Sequence, residues 1–373
     1  MKNVAVLIIS DQTIQNVQFI KEFSEKIGTY WFITTESMEN KGCSEWICET
    51  LQLPKENVQK ILVNEFSLQN ITEKLKDRYQ SENSYLVNIT GGTKLMSIAV
   101  YDFFREKTNA TIYYLTGRKN EFLNLTQNSH KETLQQKITL YEYLTSYGIK
   151  VKESSQKVPM KTFELAKAMY QEFIQAKQAN IDCLQKLRDK IQEDKKIKEI
   201  NVTDFENLSE LLQAIDLQHR GQISRKDAEY LTGKWLEEWT YYRIKEKLQL
   251  NENTIAIGLY LQKKGIEKTE NDFDVMFILK NELYIVECKT SHKINKENKL
   301  NEFIYKLDAL QKEFGLFSQA FIYTLGSLPT DDNPKNILKD RLKFHRITLL
   351  TKEQVNIENT KSFEGWLNNL ANG

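Results

Sequence analysis

The sequence predicts two α/β domains in tandem, and three observations carry that prediction. Residues 3–116 alternate strictly between short apolar runs and amphipathic stretches, the pattern of a parallel, Rossmann-like sheet covered by helices. A second unit, from about Asp204 onward, is built around one apolar hairpin between amphipathic stretches. At 373 residues, the chain is also too long for one typical core.

Each element of the first unit follows from its residues. Val4-Ala5-Val6-Leu7-Ile8-Ile9 is continuously apolar, as in a strand buried on both faces, and Ser10-Asp11-Gln12 ends it. Val17, Phe19, Ile20, Phe23 and Ile27 then lie along one helical stripe. Tyr30-Trp31-Phe32-Ile33 is a second strand, closed by Thr34-Thr35. A helix near Glu45–Leu51 and a third strand at Val58–Val63 follow. Leu68, Ile71, Leu75 and Tyr79 mark the next helix, Tyr85–Ile89 a fourth strand, Leu95–Phe104 a helix and Thr111–Leu115 a fifth strand. Residues 120–150 read as an added strand or hairpin and a short helix at Leu140–Leu144.

The predicted boundaries are 1–150 for the first domain, 151–203 for a helical connector and 204–373 for the second domain. The connector is rich in Lys, Glu and Gln and poor in Gly and Pro. Phe163, Tyr170, Phe173, Leu184 and Leu187 are spaced along it without a sustained heptad. In the second domain a helix is predicted at Ala228–Lys247, another at Lys299–Phe314, and a strand at Ala320–Tyr323.

Composition narrows the function. Hydrophobic content of 40% and charged content of 28% fit a soluble globular protein. No stretch approaches a membrane span, so no membrane partner is expected. Met1-Lys2-Asn3 leads straight into a strand-like run, unlike a signal peptide. Cys43, Cys48, Cys183 and Cys288 lack metal-ligand spacing, and a reducing cytoplasm is the expected location. A net charge of +1 does not advertise nucleic-acid binding through bulk charge, so any basic groove must come from local arrangement.

The hairpin holds the densest chemistry. Phe273–Leu279 and Leu283–Lys289 form its arms, with a polar turn at Lys280-Asn281-Glu282. Symmetric pairing about Asn281-Glu282 sets Asp274 opposite Lys289 and puts Asp274, Glu287 and Lys289 on one face. Cross-strand neighbours lie roughly 4.5–8 Å apart, within reach of one shared divalent cation. Two carboxylates would anchor Mg²⁺ or Mn²⁺, leaving positions for a phosphate oxygen and water, with an ammonium to stabilise developing charge. A solvated ion pair at a strand end is the plainer alternative. The apolar lead-in of Leu283 and Ile285 on the same face favours the catalytic one.

A second motif, Asn88-Ile89-Thr90-Gly91-Gly92-Thr93-Lys94, falls where the fourth strand meets a helix. Ligands of parallel sheets bind at such carboxyl ends. Two glycines permit close approach, Thr93 can cap the helix, and its amides together with Lys94 attract an anion such as a phosphate. From the residues alone, a helix-capping turn fits equally well. Neither the Walker nor the GxGxxG spacing is present.

Both motifs resemble those of one family. Asp274 followed by Glu287-Cys288-Lys289 resembles the D…(D/E)-x-K signature of PD-(D/E)xK nucleases. Gly233-Lys234-Trp235-Leu236-Glu237 resembles the preceding helix of one subgroup, whose Glu joins the metal site. Asn271-Asp272-Phe273-Asp274-Val275 resembles its lead-in, and Asp272 and Asp274 could exchange roles. Thr-Gly-Gly-Thr-Lys after a fourth strand is similar to CARF domains, and the domain order resembles the CRISPR ancillary nucleases. The resemblance implies a restriction-endonuclease-like α/β/α second domain with Glu237, Asp274, Glu287 and Lys289 as catalytic residues. It also implies a homodimer activated allosterically by a cyclic oligoadenylate, with cyclic tetra-adenylate expected, and acting on DNA, single-stranded RNA or both in antiviral defence. Ser10, Asp11, Gln12, Thr34 and Thr35, with Asn88, Thr90, Gly91, Gly92, Thr93 and Lys94, would line the ligand pocket; Thr116-Gly117-Arg118 are weaker candidates. Tyr305 and Lys306 on the later helix could touch phosphate, and His292 could touch substrate.

Two other readings compete. One is a non-enzymatic cyclic-nucleotide sensor with an inactive nuclease-like domain; intact Asp274, Glu287 and Lys289 argue against it. The other is a metal-independent HEPN-type ribonuclease. It needs a longer Arg-to-His spacing than Arg341 and His345 provide, and those two are expected in a strand-like setting.

Overall fold

The computed structural model describes residues 3–117, 120–127, 130–175, 178–265, 271–290, 297–316, 318–326, 328, 332–353, 355 and 357–372. Arg118 and His292 lie outside the described residues.

Strands β1 (Asn3–Ile8), β2 (Ile27–Thr34), β3 (Val58–Leu62), β4 (Tyr85–Asn88) and β5 (Ala110–Leu115) pair in parallel, in the order β3-β2-β1-β4-β5. An antiparallel hairpin, β6 (Glu121–Asn124) and β7 (His130–Thr133), extends the β5 edge. Helices α1 (Ile14–Glu22), α2 (Glu36–Lys41), α3 (Cys43–Leu51), α4 (Leu68–Lys76) and α5 (Lys94–Phe104) connect the parallel strands. The strand order reverses between β1 and β4, so the loops after these strands flank the switch point where such sheets bind ligands.

The chain leaves this domain through α6 (Leu140–Ser146) and β8 (Ile149–Val151), and β8 already belongs to the second sheet. Helices α7 (Phe163–Gln175) and α8 (Gln178–Glu193), expected as a connector, are built into the second domain's core. Ala166, Met169 and Leu187 are fully buried, and Tyr170 stacks on Trp239 at 3.9 Å. Their apolar spacing therefore records packing rather than a free span. A small ribbon, β9 (Glu199–Asn201) with β10 (Gln222–Ser224), brackets α9 (Leu208–Ala214).

The long helix expected at Ala228–Lys247 is α10 (Arg225–Glu229), a π-turn at Tyr230–Lys234 and α11 (Trp235–Lys247). Strand β11 (Ile255–Lys263), not expected from sequence, precedes the hairpin arms β12 (Asn271–Leu279) and β13 (Glu282–Lys289). Helix α12 (Glu297–Gln311), β14 (Ser318–Thr324), α13 (Asp332–Phe344), β15 (Ile347–Thr351), β16 (Thr360–Ser362) and α14 (Phe363–Asn372) complete the domain. The sheet order is β16-β15-β14-β13-β12-β11-β8, parallel from β16 to β13 and antiparallel beyond. Arg341 lies in α13 rather than in a strand-like setting, and His345, just beyond it, pairs with Asp308 at 3.1 Å.

The hairpin turn corrects one expected register. Lys280 and Asn281 both have positive φ, 51° and 63°, as in the two-residue turns whose twist suits a hairpin. Val275 therefore pairs with Val286 and Leu279 with Glu282, and the same register carries Asp274 opposite Glu287 instead of Lys289. The slip is two residues, so side-chain parity is kept and the three groups still share a face.

Asn281 explains why the turn sits there. Its buried side chain accepts a hydrogen bond from the Ile138 amide (2.8 Å) and donates to the Asn120 side chain (2.7 Å) and the Gln136 carbonyl (3.3 Å). The hairpin end is thereby pinned to the first domain. One core runs across the junction, joining Phe19 and Tyr143 to Leu259, Phe273 and Phe314. Replacing Asn281 by Gly keeps the left-handed turn accessible and removes only the side-chain bonds. Asn281→Gly is expected to lower stability by about 1–3 kcal/mol, measured by denaturant unfolding; an unchanged midpoint would refute the pinning role.

Candidate active site and ligand loop

The end of β13 gathers the charge. Lys289 Nζ lies 2.6 Å from Glu287 Oε1 and 3.5 Å from Asp274 Oδ2, and the same Asp274 oxygen accepts the Cys288 amide at 2.6 Å. Side-chain exposure falls to 10% for Glu287, 13% for Asp274 and 20% for Lys289, so this is not the solvated pair of the plainer alternative. Phe303 of α12 sits 4.6 Å from the ammonium and completes its cover. Sequence spacing held no signal for that ring.

Glu237 comes from α11, not from the sheet, and it faces this cluster. Burial, and then the charge of Asp274, hold its carboxyl well above the usual range, while Lys289 and Lys234 act in the opposite direction. The adjacent Glu238 has the structural task. It is buried and accepts from the Met160 and Lys161 amides (2.6 and 3.1 Å) and from Gln156 (3.3 Å). Glu237 is thus not an exposed helix charge, and the two neighbours divide site from scaffold.

Asp272 stands apart from the cluster. Its side chain is 63% exposed and pairs with Lys306 at 2.8 Å, which favours its ionised form against partial burial. Asp274 is the carboxylate that meets Glu287 and Lys289. Tyr305 is half exposed beside His345, and Leu307 is buried on the inner side of α12.

Two carboxylates thus share one ammonium in a largely buried corner, and Glu237 lies near enough to feel their charge. Burial first, and then Asp274, push Glu287 up to about 7, although Lys289 opposes the shift. The same two carboxylates raise the Lys289 pKa against the effect of burial. Among the described residues, no three His, Cys, Asp or Glu side chains are drawn together closely enough to enclose a metal ion. The unbalanced negative charge and hard oxygen donors nonetheless suit a divalent cation that keeps most of its own waters.

The loop residues divide in two. Asn88 is buried and donates to Asn16, which in turn donates to the Ile8 carbonyl, while Thr90 Oγ1 donates to Asn88 and accepts the Leu115 amide. These residues hold β1, β4 and β5 together. Gly91 and Gly92 are required by packing: a Cβ on the first would strike the Ile8 carbonyl, and one on the second, at φ +77°, the Ile8 side chain. Thr93 caps α5 by accepting the Met96 amide, and it is exposed with Gly92 and Lys94.

Across the switch point, Asp11 is exposed and pairs with Lys41 at 2.8 Å, and Ser10 accepts the Gln12 amide. Thr34 is buried and donates to Glu39, and Thr35 caps α2. Gln12 is turned toward the second domain, where its side-chain oxygen accepts from the Leu316 amide (2.9 Å) and the Tyr147 hydroxyl (3.3 Å). Ser10, Asp11, Gly92, Thr93 and Lys94 are left facing solvent or half-exposed at the switch point.

Fold and site define a two-domain α/β protein in which a parallel sheet with an exposed Gly-Thr-Lys turn at its switch point precedes a nuclease-like charge cluster. Sequence comparison is specific about both halves. Residues 4–143 match the Card1 CARF domain family and residues 224–366 the Card1-like endonuclease domain family. The chain belongs to the CARF-domain CRISPR nucleases, with a Card1-type CARF domain followed by a Card1-like endonuclease domain. It is similar to the solved structure of Can2 from Sulfobacillus thermosulfidooxidans in complex with cyclic tetra-adenylate, at 20% identity over 93% of this chain and 95% of that one, with a TM-score of 0.73. It is likewise similar to protein VC1899 from Vibrio cholerae, at 17% identity over 94% of each chain and a TM-score of 0.73. At these identities the likeness concerns the fold. No curated protein sequence matches.

The raised Glu287 pKa has a defined sign. Glu287 binds its proton more tightly folded than unfolded, so its favourable contribution is complete below about pH 4.5 and disappears as pH rises through about 7. In metal-free buffer Glu287→Gln is expected to raise the melting temperature at pH 8 and to leave it nearly unchanged at pH 4.5. Equal melting temperatures at pH 8 would contradict the charge balance described.

Proposed function

We propose that this protein is a nuclease switched on by a cyclic oligoadenylate, with cyclic tetra-adenylate as activator. In this reading it works in the cytoplasm as a homodimer in CRISPR antiviral defence and hydrolyses phosphodiesters of DNA, single-stranded RNA or both. The observation that carries the reading is the convergence of Asp274, Glu287 and Lys289 at one strand end beneath Glu237, with negative charge in excess of its local cation.

Mg²⁺ or Mn²⁺ held by Asp274 and Glu287 would polarise a phosphoryl oxygen and lower the pKa of a bound water. The protein's own share is positional. Asp274 is aimed by its bond to the Cys288 amide. Lys289, held protonated by its two carboxylates, places positive charge where the leaving and attacking oxygens gain negative charge. Glu237 approaches from the helix side and would join the metal site by holding one of the ion's waters. Phe303 and the sheet restrict solvent, which strengthens these interactions.

For the first domain, support comes from the CARF match and from the exposed Gly92-Thr93-Lys94 turn at a helix N-terminus. The similar Can2 structure holds cyclic tetra-adenylate. Two copies of this loop across a two-fold axis would face a symmetric ring. Such a ring activates only if it binds the cutting arrangement more tightly than the resting one.

The test is cleavage of plasmid and of single-stranded RNA with Mg²⁺ or Mn²⁺, with and without cyclic tetra-adenylate. Glu287→Ala is expected to lower cleavage by about 100-fold or more and to leave ring binding unchanged. Cutting at the wild-type rate by that variant, or full activity in EDTA, would defeat the assignment.

A further inference from the structure

Arg188 stands out among the side chains not assigned above. It lies on α8 and reaches the back of the charge cluster, where its Nη2 donates to the Thr232 carbonyl and, at 2.8 Å, to Thr290 Oγ1. Thr290 Oγ1 donates to that same carbonyl at 3.2 Å. Two chain segments and one guanidinium therefore meet at a single point. Thr290 directly follows Lys289, and Thr232 lies five residues before Glu237.

The junction sits on an irregular backbone. Thr232 is inside the π-turn Tyr230–Lys234, which ends two residues short of Leu236 and three short of Glu237. A π-turn inserts one residue into a helix and rotates the remainder of that helix by about 100°. The insertion thus sets which way Glu237 points. Arg188 holds the carbonyl at the centre of that turn.

The choice of arginine argues for a role beyond packing. Among the described residues no carboxylate forms an ion pair with it, and burial pulls its pKa down, opposed only by the neighbouring charge of Asp189. A guanidinium drawn partly out of water with no ion pair of its own gains little stability, and an apolar side chain could pack there without that cost.

We propose that Arg188 is a positioning residue of the nuclease site, fixing through one nitrogen both the turn that aims Glu237 and the strand end that aims Lys289. This inference rests on the nuclease reading of that site. Partners that orient metal ligands from behind typically change affinity or activity by 10–100-fold when removed.

The experiment measures binding of Mn²⁺ alone by electron paramagnetic resonance titration, together with cleavage and melting temperature, in the full-length protein. Arg188→Ala is expected to weaken Mn²⁺ binding and to slow cleavage, each by about 10-fold or more. Arg188→Lys, which keeps one donor at the junction, should recover part of both. Thr290→Val keeps volume and removes the shared hydroxyl; it should show the same metal defect, and the double variant should be little worse than Arg188→Ala. A purely structural arginine would lower the melting temperature and leave Mn²⁺ affinity and cleavage intact in folded protein, and that result overturns the proposal. Should Arg188→Ala not fold, Thr290→Val alone decides: wild-type Mn²⁺ affinity in it refutes the clamp. If Glu287→Ala abolishes Mn²⁺ binding while Arg188→Ala and Thr290→Val leave it unchanged, only this inference falls. If Glu287→Ala and wild type bind Mn²⁺ alike, the site assignment itself fails and the inference goes with it.

Discussion

One ammonium neutralising too many carboxylates is the constraint around which the second domain is organised. Lys289 contacts Glu287 and Asp274, while Glu237 is driven toward its neutral form by burial and by Asp274. Such a cluster is unfavourable unless the surrounding structure holds it together. The sheet does so by register: β12 and β13 place both acids and the lysine on one face. The helix does so through its π-turn. The cost is concentrated where added positive charge would relieve it, a recurrent property of functional sites.

The two domains are coupled through packing and a small set of polar bonds. The buried Tyr143 hydroxyl donates to the Phe314 carbonyl, just ahead of β14. Gly315 follows at φ +78°, and a Cβ there would collide with the Tyr147 hydroxyl. Gln12, from the loop after β1, accepts the next amide, that of Leu316. The switch-point loop of the first sheet is therefore tied directly to the segment that leads into the strand beside β13. Helices α7 and α8, expected as a connector, are instead part of the second domain's own core.

Loop chemistry and loop structure coincide in the first domain. Asn88 and Thr90 are consumed by hydrogen bonds that tie three strands, and the two glycines are there because the turn lies against Ile8. The part left exposed, Gly92-Thr93-Lys94, is a helix N-terminus with its capping threonine and a lysine. A turn packed tightly on its inner side still leaves a helix N-terminus open on its outer side, which is why the residues alone fitted both a cap and an anion site.

Alternation by itself determined the parallel sheet of the first domain and the hairpin at the centre of the second. Continuous apolar runs in the first domain are strands buried on both faces, and side-chain parity placed Asp274, Glu287 and Lys289 together even though the turn shifted by two residues. Tertiary structure alone decided the quantities that depend on distant partners. The hairpin register followed from Asn281 bonding to the first domain, and Glu237 was separated from Glu238 by which helix face met the sheet. Asp272 was separated from Asp274 by the reach of Lys306. Strand β11 and the burial of α7 and α8 gave no clear local signal, because their partners lie far along the chain. Arg188, one cation among many in a charged stretch, becomes distinct only when the fold brings it to Thr232 and Thr290. Local patterns encode faces and periods; the identity of the partner each face meets is a property of the folded chain.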